Sequence, residues 1–555
     1  MDEGSCQVKI HEPDLEGFAA DLVAKCMATQ RERIQAYQGL AHYFLFGAQD
    51  GQQAPYNKIY PHLDILTSYL YSQATVEYEV SVQNVEDPVY EQAELISHRL
   101  NMNFHDYGVA EAFTNALRWS LVYNSMFIKM TPHTSPFALK PYLVEPHNFG
   151  VLDESVSSLD DQECFVHRYT VGQDELRRRV AMLPNGADIM RRVTATPISK
   201  EDTFPESVHR IIVAGPASMS TSTTRGIVNI PELFNQLQYK PSTVEDQVEM
   251  YEVWAWDDEK EDYRTITVAA PGVVIYGRKD IGNLVGIKGE HPFTHICPNP
   301  LYNYFYGWSE IVGLIRLQDW TSERLREIRS ILTKQADPPK SFSGFGGLNE
   351  EKAAAFSNPG SWISDPTPNA KVEMLAPEMP PDLFQEVFMI QSFFNDVSGL
   401  PDVLQGKGDT GVRSKAQTDT LAKLGSARIK QRAQVVESIL EAIGHQIVQL
   451  MRKKDDHRYK SKNGTFIAEQ FTADYQVHVD AHSASPVFVD DAVNLAFMLK
   501  KLGVIDNRST LELTKPPMLQ KLLKRDEKAQ EARAKQAQQM LAMGMGPDGK
   551  KLHSV

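Results

Sequence analysis

The stretch WSEIVGLIRLQDWTSERLREIRSILTKQADPP, residues 308–339, decides the fold. Leu314, Leu317, Leu325, Ile328 and Leu332 recur in it at three- and four-residue steps, with Thr321 in the one gap. That spacing predicts an amphipathic helix over 309–335, roughly 40 Å long at about 1.5 Å per residue. Pro338 and Pro339 end it, because proline restricts the residue before it and cannot continue the helical hydrogen bonding. A second pattern begins after Pro380-Pro381. It carries Leu383, Val387, Ile390, Phe394 and Val397 at steps of four, three, four and three, a narrow seam suited to one partner helix. A third runs over 413–452, with Leu421, Leu424, Val436, Leu440, Ile443, Ile447 and Met451.

The segments between these patterns cannot be helix. Residues 337–378 are rich in Pro, Gly and Ser and include Ser343-Gly344-Phe345-Gly346-Gly347. Residues 398–411 hold Gly399, Gly406, Gly408 and Gly411, free to take positive φ. Two long helices therefore bracket a small separate unit, and a glycine-rich loop follows them. One compact globule has no use for that layout; a ring of subunits that threads something through its middle does.

Outward from this centre, the first 307 residues read as α+β. Helices are expected over 14–46, 60–72 and 91–123, the last broken near 101–107, with a short Arg-rich helix over 174–182. Alternating Val76, Tyr78, Val80 and Val82 mark a half-buried strand, and 125–130, 137–144 and 164–171 read as further strands. Residues 248–256 and 263–269 form a hairpin with the acidic tip Asp257-Asp258-Glu259-Lys260-Glu261-Asp262. Residues 152–161 are an acidic turn region, and 215–226 are a Ser/Thr-rich low-complexity loop. After the centre come a strand over 474–480, helices over 489–502 and 507–523, and an Ala/Gln-rich charged tail from Asp526 that is a solvated helix or disordered.

Composition excludes several classes. The chain has 555 residues, 42% apolar and 23% charged, enough for several domains of ordinary globular character. Its formal net charge of −15 repels polyanions and argues against a DNA-gripping surface, though not against a DNA conduit. Cys6, Cys26, Cys164 and Cys297 are scattered without a C-x-x-C pair, as in a reducing cytosol, and give no zinc or redox signature. The acidic start Met1-Asp2-Glu3-Gly4 is no secretory signal, and no apolar run is long enough for a transmembrane helix, so no membrane partner is expected.

Motifs that could carry chemistry are weak here. Gly406-Lys407-Gly408-Asp409-Thr410-Gly411 matches G-x-G-x-x-G, but a long helix precedes it where a dinucleotide site needs a strand. No G-x-x-x-x-G-K-[ST] cradle occurs, so the chain carries no P-loop for a nucleoside triphosphate. His478-Val479-Asp480-Ala481-His482 sets three ligand-type side chains on one side of a strand, which is also how any polar strand face reads. With no nucleophile elbow and no H-E-x-x-H, the expectation is a non-enzymatic chain with no cofactor, no metal and no catalytic residue.

One further set of residues carries a resemblance. His291-Pro292-Phe293, Tyr306-Gly307-Trp308-Ser309-Glu310-Ile311, Leu317-Gln318-Asp319, Ser398-Gly399-Leu400-Pro401-Asp402 and a polar helix start after Gly411 follow one another in this order. In order and spacing the chain resembles a tailed-bacteriophage portal protein, or head-to-tail connector, over roughly residues 14–500. The resemblance implies an α+β portal fold assembled as a ring. Residues 1–307 would be the wing, 308–336 and 379–398 the two stem helices, and 337–378 the clip. Residues 399–413 would be the tunnel loop, 414–480 the long wing helix with a closing strand, 481–525 a helical crown, and 526–555 the tail.

It also implies roles and partners. Within an acidic chain, Lys407, Arg413, Lys415, Lys423, Arg428, Lys430 and Arg432 stand against Asp409 and Asp419. After Lys423 the basic residues read as a solvated face that pairs with acidic neighbours. Gly406, Lys407, Gly408, Asp409, Arg413 and Lys415 would face double-stranded DNA at the channel constriction, touching a few phosphates weakly. Phe342, Phe345, Phe356 and Trp362, many rings for a short unit, would pack against neighbouring clips and the packaging motor. Leu383, Val387, Ile390, Phe394 and Val397 would form the stem packing. The implied assembly is a homododecamer at one capsid vertex of a virion, built in the host cytoplasm. Its partners would be the terminase large subunit, head-tail adaptor or tail proteins, and major capsid and scaffolding proteins. The alternative is another ring-forming virion adaptor or scaffold without a DNA channel.

Overall fold

The computed structural model describes residues 15–48, 54–72, 76–82, 89–134, 137–183, 185–193, 247–270, 272–278, 290–336, 338, 340–343, 371–374, 377–400, 427–461, 464–472, 474–480, 496–503 and 510. Helices and antiparallel strands are mixed throughout, which is the α+β class.

The expected first helix divides into α1, Leu15–Cys26, and α2, Gln30–Phe46. α3, Ile59–Leu70, precedes β1, Glu77–Val82. α4, Val89–Asp106, and α5, Val109–Tyr123, meet at Gly108, whose φ of 71° is the left-handed conformation that breaks the helix there. A three-stranded sheet follows, ordered β3-β2-β9, from β2, Met126–Thr134, β3, Phe137–Val144, and β9, Phe293–Ile296.

The larger sheet is antiparallel and ordered β4-β5-β6-β7-β8. Its strands are β4, Phe149–Val151, β5, Cys164–Gly172, β6, Gln247–Asp257, β7, Asp262–Ala269, and β8, Val273–Arg278. The β6–β7 hairpin carries the expected acidic tip. Period-two alternation sorts its side chains. Cys164, Val166, Val253, Ala255, Ile266 and Val268 pack against Ala19, Leu22 and Cys26 of α1. Phe165, Trp254 and Tyr263 turn to the other face and join the main core. Two short helices, α6, Gln173–Val180, and α7, Gly186–Arg192, close a smaller cluster with Val248, Met250 and Val273.

Three helices make the centre: α8, Val312–Ala336, α9, Asp382–Ser398, and α10, Ala427–Lys454. Between α8 and α9 stands an antiparallel ribbon of β10, Lys340–Ser343, and β11, Lys371–Met374. α10 runs through the main core. Ile429, Ala433, Val436, Leu440, Ile443, Ile447 and Met451 are buried along it at steps of four and three. β12, Arg458–Ser461, and β13, Gly464–Ile467, form a small hairpin. β14, Tyr475–Asp480, returns to the start of the chain and pairs antiparallel with β1, Glu77 opposite Asp480.

Several details depart from expectation. α8 begins at Val312 instead of 309, because 309–311 are occupied in fastening it to the body. Leu332, expected on its apolar face, is 49% exposed. β4, β8, β9, α7 and the β12–β13 hairpin go beyond the expected elements; each is short, and β9 is set by pairing with the distant β2. Residues 496–501 are helical, within the expected 489–502 helix. The low-complexity loop 215–226 and the tail 526–555 lie outside the described residues, as does the 507–523 helix apart from Thr510.

Candidate functional site

The candidate site is the α8/α9 pair, because α9 leaves five large apolar side chains exposed. The two helices run antiparallel. Gly313 lies beside Val397, Trp320 Nε1 and Arg324 Nε both donate to the Glu386 carboxylate, at 3.1 and 2.9 Å, and Gln335 Nε2 donates to Pro377 O. A Cβ at position 313 would sit 3.6 Å from Val397 Cγ1, so the helices approach closely there.

The base of α8 is held by polar contacts. Glu310 N donates to Leu121 O, and Ser309 Oγ donates to Val122 O at 2.5 Å. The fully buried Gln318 accepts from Lys58 N at 3.0 Å and donates to Tyr56 O at 2.7 Å. Tyr43 Oη donates to Asp319, and Tyr306 Oη to Phe149 O. Gly307 takes φ 71°, and a Cβ there would collide with Cys297 Sγ. Six of the residues that carry the portal resemblance, Tyr306, Gly307, Ser309, Glu310, Gln318 and Asp319, thus lie at the joint between α8 and the body.

The C-terminal end of α9 is seated in the core. Phe394 is 2% exposed and packs edge-to-face on His62, with Lys58 Nζ 4.6 Å from its ring centre. Lys58 Nζ also donates to Asn395 Oδ1 and Gln391 O. Burial, then the charges of Arg432 and Lys58, push His62 down to about 3, so its imidazole stays neutral. Arg432, one of the basic residues expected to pair, meets the Glu310 carboxylate at 3.0 Å. Gly399 ends α9 at φ 68°, and Leu400 is buried.

The seam expected from the sequence comes together in part. Val387, Ile390 and Phe394 are buried and Leu383 is half-buried, while Val397 is 52% exposed beside Gly313. Phe342 stands opposite Val372 in the β10–β11 register. Phe345, Phe356, Trp362, Gly406, Lys407, Gly408, Asp409, Arg413 and Lys415 lie outside the described residues.

The seam reading missed its own flanks. At about 100° per residue, Phe384 and Phe388 fall on one side of the buried seam and Met389, Phe393 and Val397 on the other. All five are exposed, Phe388 by 69%. The signal was present in Phe384-Gln385-Glu386-Val387-Phe388-Met389, where apolar residues stand off the seam's steps. Among the described residues no helix is long and apolar enough to cross a membrane.

Among the described residues no group of three His, Cys, Asp or Glu could hold a metal; His478 Nδ1 lies 3.9 Å from Glu441. No protein-family model matches the chain, and a search of curated proteins finds no match.

Proposed function

We propose that the protein is a phage portal: a non-enzymatic ring at one capsid vertex through which double-stranded DNA enters and leaves. The observation that carries this reading is the pair of apolar flanks on α9, one on each side of a seam already buried within the subunit. A helix that meets one partner needs one extra apolar stripe. A helix standing in a closed circle of copies meets a neighbour on each side and needs two. Exposed aromatics of this number on one short helix are costly in a free monomer and are covered in an assembly.

Further support comes from the joint at the base of α8, which fixes the direction in which the pair leaves the body. The β10–β11 ribbon at the far end is where the clip would meet the terminase motor during packaging and the head-tail adaptors afterwards. The loop from Gly399 would supply the DNA-facing constriction. Leu400 at its start and Ile429 in the helix that follows are both buried. The ring would be a homododecamer.

Electron microscopy of the purified full chain tests this. End-on class averages should show rings with a central hole and about twelvefold symmetry. A small closed oligomer with no hole overturns the channel.

A further inference from the structure

A cavity of about 1240 Å³ opens in the body, lined by none of the residues of α8 or α9. Its walls come from α10, β9, β14 and the acidic turn at 157–160. Three carboxylates line it, Asp160, Glu290 and Glu441, and among the described lining residues there is no lysine or arginine. The pairing of these acids is thin. Glu290 accepts from Gln449 Nε2 at 2.6 Å, Glu441 has His478 at 3.9 Å, and Asp160 lies 3.1 Å from His291 Nε2.

An acidic wall by itself means little, but buried polar atoms on the same wall are left without partners. Gln449 is 9% exposed and its Oε1 accepts no hydrogen bond, although its Nε2 is committed to Glu290. His291 is 8% exposed with Nδ1 unpartnered, and His295 Nε2 is also unmet. A buried acceptor without a donor costs on the order of 1–3 kcal/mol. Such atoms persist where something else supplies the partner. Here the vacant positions include an amide oxygen beside a carboxylate, a pair that calls for a cationic N–H donor.

Chemistry narrows the guest. Anions are repelled by three carboxylates, and the guanidinium beside this wall, Arg452, is engaged over the Tyr475 ring at 5.7 Å. A bare metal ion lacks a site, since no three ligand-type side chains converge among the described residues. A neutral polyol would leave the acids uncompensated. An ammonium group donates to Gln449 Oε1 and to Glu290 at once and neutralises charge. The cavity exceeds what one small ion fills, so the guest is extended and carries more than one such group.

We infer that this cavity is a binding site for a free aliphatic polyamine, with Glu290 and Gln449 holding one ammonium group and Glu441 another. This inference does not depend on the ring.

Isothermal titration calorimetry of the full chain with spermidine at low ionic strength tests it. The expected result is a saturable isotherm, one site per chain, with 1,8-octanediol giving no saturable heat. Gln449→Leu and Glu290→Gln should each weaken binding about tenfold. Glu441→Gln should weaken it about fivefold, and its side chain, 41% exposed, leaves the fold intact if a more buried variant fails. Absence of saturable heat with the unaltered protein overturns the site. So does spermidine binding of unchanged affinity in Glu441→Gln, which would mark general adsorption to an acidic surface.

Discussion

Replacing Phe388 by alanine separates assembly from folding. Phe388 leaves 69% of its surface open in the subunit, so little of its apolar area contributes to the subunit's own stability. A phenylalanine carries ~200 Å² of side-chain surface, and at ~25 cal/mol per Å² covering the open part of Phe388 is worth ~3 kcal/mol per contact. Its loss weakens each subunit contact ~100-fold, and the deficit recurs at every interface of a closed ring. Ile390, two residues on and fully buried, is the opposite case. Ile390→Ala removes core packing and should lower subunit stability by ~2–5 kcal/mol. Mass photometry across protein concentration reads assembly, and urea denaturation of the dilute subunit reads folding. Phe388→Ala should shift ring formation to at least ~30-fold higher concentration and leave the urea midpoint within error. Rings at the original concentration would refute the reasoning. So would a stability loss matching that of Ile390→Ala, because Phe388 would then be a core residue of the subunit.

Four other outcomes follow from buried geometry. Gln318→Leu leaves Lys58 N and Tyr56 O without their partner and should cost ~2–4 kcal/mol in urea denaturation, whereas Gln318→Glu keeps only the acceptor and should cost at least as much. Gly444→Ala sets a Cβ 2.5 Å from Tyr78 Cε1 and 2.9 Å from Val477 Cγ1, where α10 crosses β1 and β14, and should lower stability by ~1–3 kcal/mol. Acid should unfold the chain in two windows, read from urea midpoints measured from pH 8 to pH 3. Burial holds His62 and His295 down at about 3 against the ordinary 6.5, so the stability they add is complete above about 6.5 and drains away as pH falls toward 3. Burial alone would raise Glu252, but the charge of Lys129 and the His167 contact outweigh it and hold the carboxyl at about 2, so its contribution is lost only between about 4.5 and 2. Lys129→Met strands that carboxylate and should cost ~3–5 kcal/mol at pH 7. A stability profile flat from pH 7 to pH 4 would contradict the buried-imidazole window.

The parts of the fold legible in the sequence are those whose signal repeats within one element. The seam of α9, the core face of α10 and the β6–β7 hairpin each show several apolar residues at one period, and a tertiary partner merely selects among faces already marked. What stayed hidden depends on a distant partner. β4 is three residues long, and Gly150 within it is required because a Cβ would collide with Cys26 O at the end of α1. Nothing near residue 150 announces that contact. The split between α1 and α2, and the pairing of β14 with β1 across almost the whole chain, are hidden in the same way. At the candidate site, the reading of α9 stopped once one seam accounted for Val387, Ile390 and Phe394. Phe384, Phe388, Met389 and Phe393 are left exposed among the described residues, so a search for one buried face passed over them.

That division also bears on why the residues of the portal resemblance gather where they do. Tyr306, Gly307, Ser309, Glu310, Gln318 and Asp319 hold the root of α8 through directional hydrogen bonds and one close backbone approach. A helix held by apolar contacts alone can rotate or slide by a residue at modest cost, because one aliphatic side chain replaces another with little penalty. A helix whose buried Gln318 must meet both Lys58 N and Tyr56 O cannot, since any slip leaves two backbone groups unsatisfied. For a free-standing enzyme that precision at a helix base has little value. For a ring it decides whether assembly closes. A small error in the angle at which each copy's α8/α9 pair leaves its body accumulates around the circle, and the flanks of α9 then fail to meet. In the proposed ring the polar joint and the two apolar flanks would act as a single device: the first would set the angle, and the second would complete the contact that the angle makes possible.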